Sequence, residues 1–170
     1  MTTTNGIFIT LEGGDGAGKT THLMKLADKL REMGKEVVIV REPGGTRIGE
    51  KIRNILLDNE NDEMTARTEL FLYEAARSQI VAEVIKPALD KGKVVLCDRF
   101  FDSTVCYQGY GRGLDVDEIK KANLFTTDGL KPDRTVIIFT DTVENSIYRA
   151  TKNDGADRIE AEGEAFQKKV

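Results

Sequence analysis

Residues Gly13 to Thr20 read Gly-Gly-Asp-Gly-Ala-Gly-Lys-Thr, four glycines, a lysine and a hydroxyl in eight positions. The run fits G-x-x-x-x-G-K-[ST]. Glycines let the backbone wrap tightly, so that successive N–H groups point at phosphate oxygens. A helix starting there adds its positive dipole end. Lys19 is a point charge for β- and γ-phosphates, and the Thr20 hydroxyl is placed to ligate Mg²⁺. Gly13, Gly14, Asp15, Gly16, Ala17, Gly18, Lys19, Thr20 and Thr21 are therefore candidates for holding a nucleoside triphosphate, with ATP expected. The chain has no N-K-x-D motif for guanine, which argues against a GTPase switch. Hydrolases and kinases share this loop, so the destination of the phosphoryl group has to be read elsewhere.

Three further groups could act with the loop. Arg41 and Arg99 each follow an apolar run. Two arginines at strand ends beside a phosphate loop suit a second anion better than plain solvation. Tyr73 and Arg77 are four residues apart and share one helical face. There a ring could stack on a base while a guanidinium bonds its edge, though spacing alone equally allows Tyr73 in the core and Arg77 on the surface. Asp98 ends an apolar run, as a metal-holding carboxylate does, directly or through water. An acceptor phosphate monoester, with a second pKa of ~6, is already largely ionised at neutral pH and needs no general base.

The elements that position these groups alternate. Ile7–Glu12 predicts a strand, followed by a helix from about Gly18 to Met33 closed by Gly34. Glu36–Arg41 is a second strand. Thr46–Asp58 carries Ile48, Ile52, Ile55 and Leu56 at helical spacing. A long helix is expected from about Ala66 to Asp90, bent near its end by Pro87. Lys93–Cys97 is an almost wholly apolar strand, as expected when both faces are covered. Asp115 and Glu118 form a capping box for the next helix. Arg134–Thr140 is a fourth strand, and Asp141 with Glu144 predicts a capped helix through about Ala150. This order implies an α/β fold, a parallel sheet flanked by helices with crossover connections. Ligands then bind beyond the carboxyl ends of the strands, where the candidate residues fall.

Composition narrows the class. The chain has 170 residues and a net charge of −4, room for one core and no long-range field for nucleic acid or an anionic membrane. No apolar segment reaches the ~18 residues of a membrane span. The opening residues lack the charged and apolar regions of a signal peptide, so a cytoplasmic protein is expected. Cys97 and Cys106 are expected as reduced thiols in interior or site-adjacent segments. The single histidine, His22, excludes a histidine-cluster mechanism.

Taken in order, LEGGDGAGKTT, REPGGT, YEAARSQ, DRF followed by STVCYQGYGRG, and DRIE resemble bacterial thymidylate kinase along essentially the whole chain. The resemblance implies the P-loop containing nucleoside triphosphate hydrolase fold and transfer from ATP to dTMP with Mg²⁺, usually by a homodimer. It implies that Asp15 contacts the sugar side of the monophosphate and that Arg41, Arg53 and Arg99 hold its phosphate. Tyr73 stands where the family stacks a ring on thymine, and Arg77 matches the arginine on the thymine edge. Thr104 and Gln108 match polar base contacts, and Tyr107 packs against the sugar 2′-carbon. Thr20 and Asp98 would hold the metal. Lys19, Arg99, Asp15 and a cation of the lid, Arg149, would be catalytic. The lid, about 149–160 of a single kinase domain spanning 1–170, carries Asn153, Asp154 and Gly155 where relatives often have an arginine. Arg149, Lys152 and Arg158 are the cations left. The family continues through a further strand and helix that this sequence does not include. A kinase for another nucleoside monophosphate and a non-catalytic ATP-binding module are the competing readings.

Overall fold

The computed structural model describes residues 6–140, 142, 144–145 and 156–170. Its centre is a parallel sheet of β1 (Ile7–Glu12), β2 (Val37–Arg41), β3 (Val94–Asp98) and β4 (Arg134–Ile137), in the order β2-β3-β1-β4. The chain leaves β1 through α1 (Lys19–Glu32), reaches β2, and returns through α2 (Arg47–Leu57) and α3 (Ala66–Ile80) to lay β3 between β1 and β2. The predicted sheet is therefore present.

Alternation along β3 explains its apolar sequence. Val94 and Leu96 pack with Leu11, Leu23 and Ala27 on the α1 side. Val95 and Cys97 pack with Phe8, Val40, Ile80, Ile85 and Leu89 on the other. Thr46 caps α2 through Gly49 N, and Asp115 caps α6 (Val116–Thr126) through the amides of Asp117 and Glu118. The carboxylate of Glu118 goes to Lys121 instead of returning to the cap.

Three elements differ from expectation. The long helix is α only to Ile80; Val81–Ile85 form a π-turn, and α4 (Lys86–Asp90) follows. Pro87 has no amide hydrogen for the preceding turn and crowds the carbonyl four residues back, so the ladder loosens before the proline. β4 stops at Ile137, three residues early, because its partner runs out: Ile137 pairs with Glu12, and Gly13 then leaves the ladder. Residues after β3, for which no element was expected, form α5 (Phe101–Thr104) and a π-turn through Val105–Gly111. The expected helix after Asp141 lies largely outside the described residues.

Arg77 joins the layers. Its Nε donates to Glu42 Oε2 (2.8 Å), Nη1 to Glu74 Oε1 (2.9 Å) and Asn123 Oδ1 (2.6 Å), and Nη2 to Thr104 Oγ1 (2.8 Å). The side chain is 2% exposed, so the guanidinium is a buried tie between α3, the end of β2, α5 and α6. Arg77→Met would leave Glu42 and Glu74 buried without their cation. We expect a loss of about 3–5 kcal/mol in urea unfolding. A loss below about 1 kcal/mol would show that the tie is not structural.

Candidate active site

The phosphate loop follows β1 directly. Gly13, Gly16 and Gly18 have φ of 141°, 74° and 92°. A Cβ on Gly13 would lie 2.2 Å from the Ile138 carbonyl oxygen, so this glycine is required by space as well as by conformation. Lys19 Nζ donates to Gly14 O (2.8 Å) and lies 4.0 Å from Asp15 Oδ1. Burial, with the charge of Arg99, brings its ammonium down to about 8. Thr20 Oγ1 donates to Asp98 Oδ2 (2.7 Å), bringing together the hydroxyl and carboxylate expected at a metal. Thr21 is exposed on the first turn of α1.

Arg99, the next residue after β3, has a φ of 68°. Its Nη1 donates to Ser103 Oγ (3.0 Å), and its Nη2 to Tyr107 Oη (3.1 Å) and to the Asp15 carboxylate. Tyr107 Oη donates to Asp15 Oδ2 (2.9 Å). Burial opposes ionisation of Asp15, but Arg99 and Lys19 hold its carboxyl below the usual range. Behind this cluster, Glu12 accepts from Phe100 N (2.8 Å) and Ser103 Oγ (2.6 Å). Glu12 thereby fixes the unusual backbone turn that aims Arg99, while burial raises its own carboxyl.

Two cavities meet at this cluster. A pocket of about 100 Å³ is lined by Asp15, Glu42, Arg53, Tyr73, Arg77, Arg99, Thr104, Tyr107 and Gln108, with Asp157 and Ile159 closing one side. A cleft of about 670 Å³ runs along Gly13, Gly14 and the end of β4. Asp15, Arg99, Ser103 and Tyr107 line both. Tyr73 and Arg77 do share one wall, but Arg77 is neither a surface arginine nor a free base reader: most of its donors are spent inside the protein. Burial pushes the Tyr73 phenol above its ordinary range. Arg53 donates to Pro43 O (3.1 Å) at the pocket rim.

Other candidates sit apart. Arg41 is turned to Glu50, donating to both carboxylate oxygens (3.0 and 2.9 Å) and to Pro43 O, and lines neither cavity. Arg158 is withdrawn from the lid cations: its Nη2 donates to Glu69 Oε2 (2.7 Å) and its Nε to Leu56 O (2.8 Å). Arg149 and Lys152 lie outside the described residues. Cys97 is buried and Cys106 half-buried, both free.

Sequence reasoning passed over three acids. Glu12 ends β1. Glu42 sits between Arg41 and Pro43; burial pushes its carboxyl up to about 7 against the pull of Arg77. Its Oε1 is the one buried side-chain oxygen without a hydrogen-bond partner among the described residues. Glu69 lies one turn before Tyr73, and the i, i+4, i+8 stripe Glu69–Tyr73–Arg77 was the available signal.

The thymidylate kinase family model matches residues 11–170. The chain is similar to a thymidylate kinase of Exiguobacterium sibiricum, 50% identical over 165 residues, 97% of this chain and 77% of that protein. It is similarly close to one of Pseudomonas putida, 51% identical over 162 residues, 95% of this chain and 77% of that one. The crystal structure of thymidylate kinase from Ehrlichia chaffeensis superposes with a TM-score of 0.76 at 43% identity, covering 85% of this chain and 82% of that one. With a phosphate loop and a second, arginine-lined pocket meeting at one arginine, and with relatives at this level over nearly its whole length, the chain belongs to the thymidylate kinase family.

Proposed function

We propose that this chain transfers the γ-phosphoryl group of ATP to dTMP, giving dTDP and ADP, as a single kinase domain. The observation that carries this is the wall shared by the two cavities, where Arg99 stands beside the phosphate loop and the smaller pocket at once. Lys19 and the loop amides hold the triphosphate. Arg99 and Arg53 hold the acceptor phosphate, with Arg41 reaching it only after leaving Glu50. Asp15 and Tyr107 face the sugar; Tyr73, Arg77, Thr104 and Gln108 surround the base. Catalysis is positioning and charge neutralisation, since the acceptor arrives ionised. Asp15 holds Arg99 in place until a phosphate competes for it, and Arg149 from the lid meets the transferring group.

Mg²⁺ suits the hydroxyl of Thr20 and the carboxylate of Asp98, both hard oxygen donors already in contact. When bound it neutralises phosphate charge. A homodimer fits the exposed Phe71 on α3 and Leu124 and Phe125 on the neighbouring α6, apolar side chains that a second copy would cover. A cytoplasmic protein without nucleic-acid or membrane partners fits the net charge of −4. Among the described residues no helix is long and apolar enough to cross a membrane.

A coupled assay of ADP release tests the reading. Release should depend on dTMP and be weak with dAMP or dGMP, and Lys19→Ala should lower kcat by at least about 10²-fold. ADP release indifferent to dTMP would sink it.

The lysine adds a pH signature. Its pKa of about 8 is held down by burial and Arg99. Bound phosphates favour the charged form, so the complex holds more protons than the free enzyme above pH 8. ATP affinity should therefore fall as pH rises through that range, by up to about tenfold per unit, with proton uptake on binding. Calorimetry in buffers of different ionisation enthalpy reads this directly. Affinity that is flat from pH 7.5 to 9.5 would show that Lys19 does not titrate with the ligand.

A further inference from the structure

Glu69 is 1% exposed and lies at the centre of four hydrogen bonds. Gln108 Nε2 donates to its Oε1 (2.8 Å), and Arg112 Nε to the same oxygen (3.1 Å). Arg112 Nη2 (2.9 Å) and Arg158 Nη2 (2.7 Å) donate to Oε2. Burial works against the charge, but these donors hold the carboxyl below its ordinary range. An ionised carboxylate only accepts. Gln108, itself 1% exposed, must then turn its amide nitrogen to Glu69. The amide oxygen is the end left for the pocket that Gln108 lines.

We infer that Glu69 is a positioning residue for base choice: it fixes the polarity of the Gln108 amide, so that the pocket offers the base an acceptor. This rests on reading the pocket as the acceptor-nucleotide site. The Watson–Crick edge of thymine carries one donor, N3–H, between two carbonyls. Cytosine has an unprotonated N3 there, so a carbonyl oxygen meets an acceptor and the pairing is lost. A side chain that never touches the nucleotide thereby contributes to discrimination between dTMP and dCMP. A glutamine at 108 with its amide free to turn over would serve either base.

Glu69→Gln tests this at nearly constant shape. The Nη2 groups of Arg112 and Arg158 claim the new amide oxygen at the Oε2 position, which leaves its nitrogen facing Gln108 and costs the bond from Arg112 Nε. Gln108 then turns over and presents its own nitrogen to the pocket. Binding of dTMP and dCMP by calorimetry, and kcat/KM for both, are the readouts. We expect dTMP to lose about tenfold or more while dCMP is unchanged or gains, so the preference shrinks at least tenfold. Glu69→Asp keeps an acceptor-only group and should keep the preference, even where both nucleotides weaken. Equal losses for the two nucleotides in Glu69→Gln would overturn the inference and leave Glu69 a packing residue. Should Glu69→Gln fail to fold, Gln108→Leu decides: the preference must fall there too, and an unchanged ratio overturns the inference. A wild-type protein that turns over dTMP with a ratio indifferent to both residues defeats this inference alone. One that neither binds dTMP nor releases ADP with it defeats the functional reading and this inference together.

Discussion

Leu11 and Asp98 are partners across the β1–β3 ladder, and the chain leaves both strands within the next two residues. That register sets the site. It brings the phosphate loop, which starts at Gly13, beside the turn that carries Arg99. It places Thr20 within 2.7 Å of Asp98 and Glu12 within reach of the Phe100 amide. A slip by one residue would turn the apolar faces of β3 over and separate the groups at once. Parallel pairing of two strands distant in sequence is thus what lets a local motif and a remote arginine share one cavity wall.

Around that wall the charges are matched one against another. Arg99 is held by Asp15 and Tyr107, Arg77 by Glu42 and Glu74, and Arg158 by Glu69. Each pair is at least partly buried, so breaking one leaves a charge without water to solvate it. The site therefore carries a cation in excess beside the loop, Lys19 and Arg99 against Asp15, whereas the tie at Arg77 is enclosed by two carboxylates. Arg99 shares its partner Asp15 with Lys19 and the pocket. Arg77 takes partners from three other segments.

Much of this was legible in the sequence where the signal was local. The phosphate loop, the cap at Asp115, and the continuous apolar run of β3 each follow from a few neighbouring residues. The burial of Arg77 did not, because Glu42 and Asn123 lie 35 and 46 positions away and only the fold delivers them. Arg41 and Arg99 looked alike at two strand ends. They differ because Glu50, one turn into α2, captures the first. The helix after β3 was hidden by Gly109, Gly111 and Gly113, which read as loop, and by a π-turn that breaks the 3.6-residue period on which the reading depends. Membership of the family was legible because it rests on several ordered motifs. The geometry of single side chains was not.

The π-turn at Val81–Ile85 makes the run from Ala66 to Asp90 two helices in different phase. Upstream, Tyr73 and Arg77 face the pocket, with Glu69 held one turn earlier by Gln108, Arg112 and Arg158; downstream, Ile85, Ala88 and Leu89 face the sheet. An α-helix advances by about 100° per residue, so the one extra residue in the widened turn is a change of bearing. Deleting a residue there would rotate the downstream stripe off the core while leaving the helix content almost intact. Circular dichroism would barely register it, and the free energy of unfolding would.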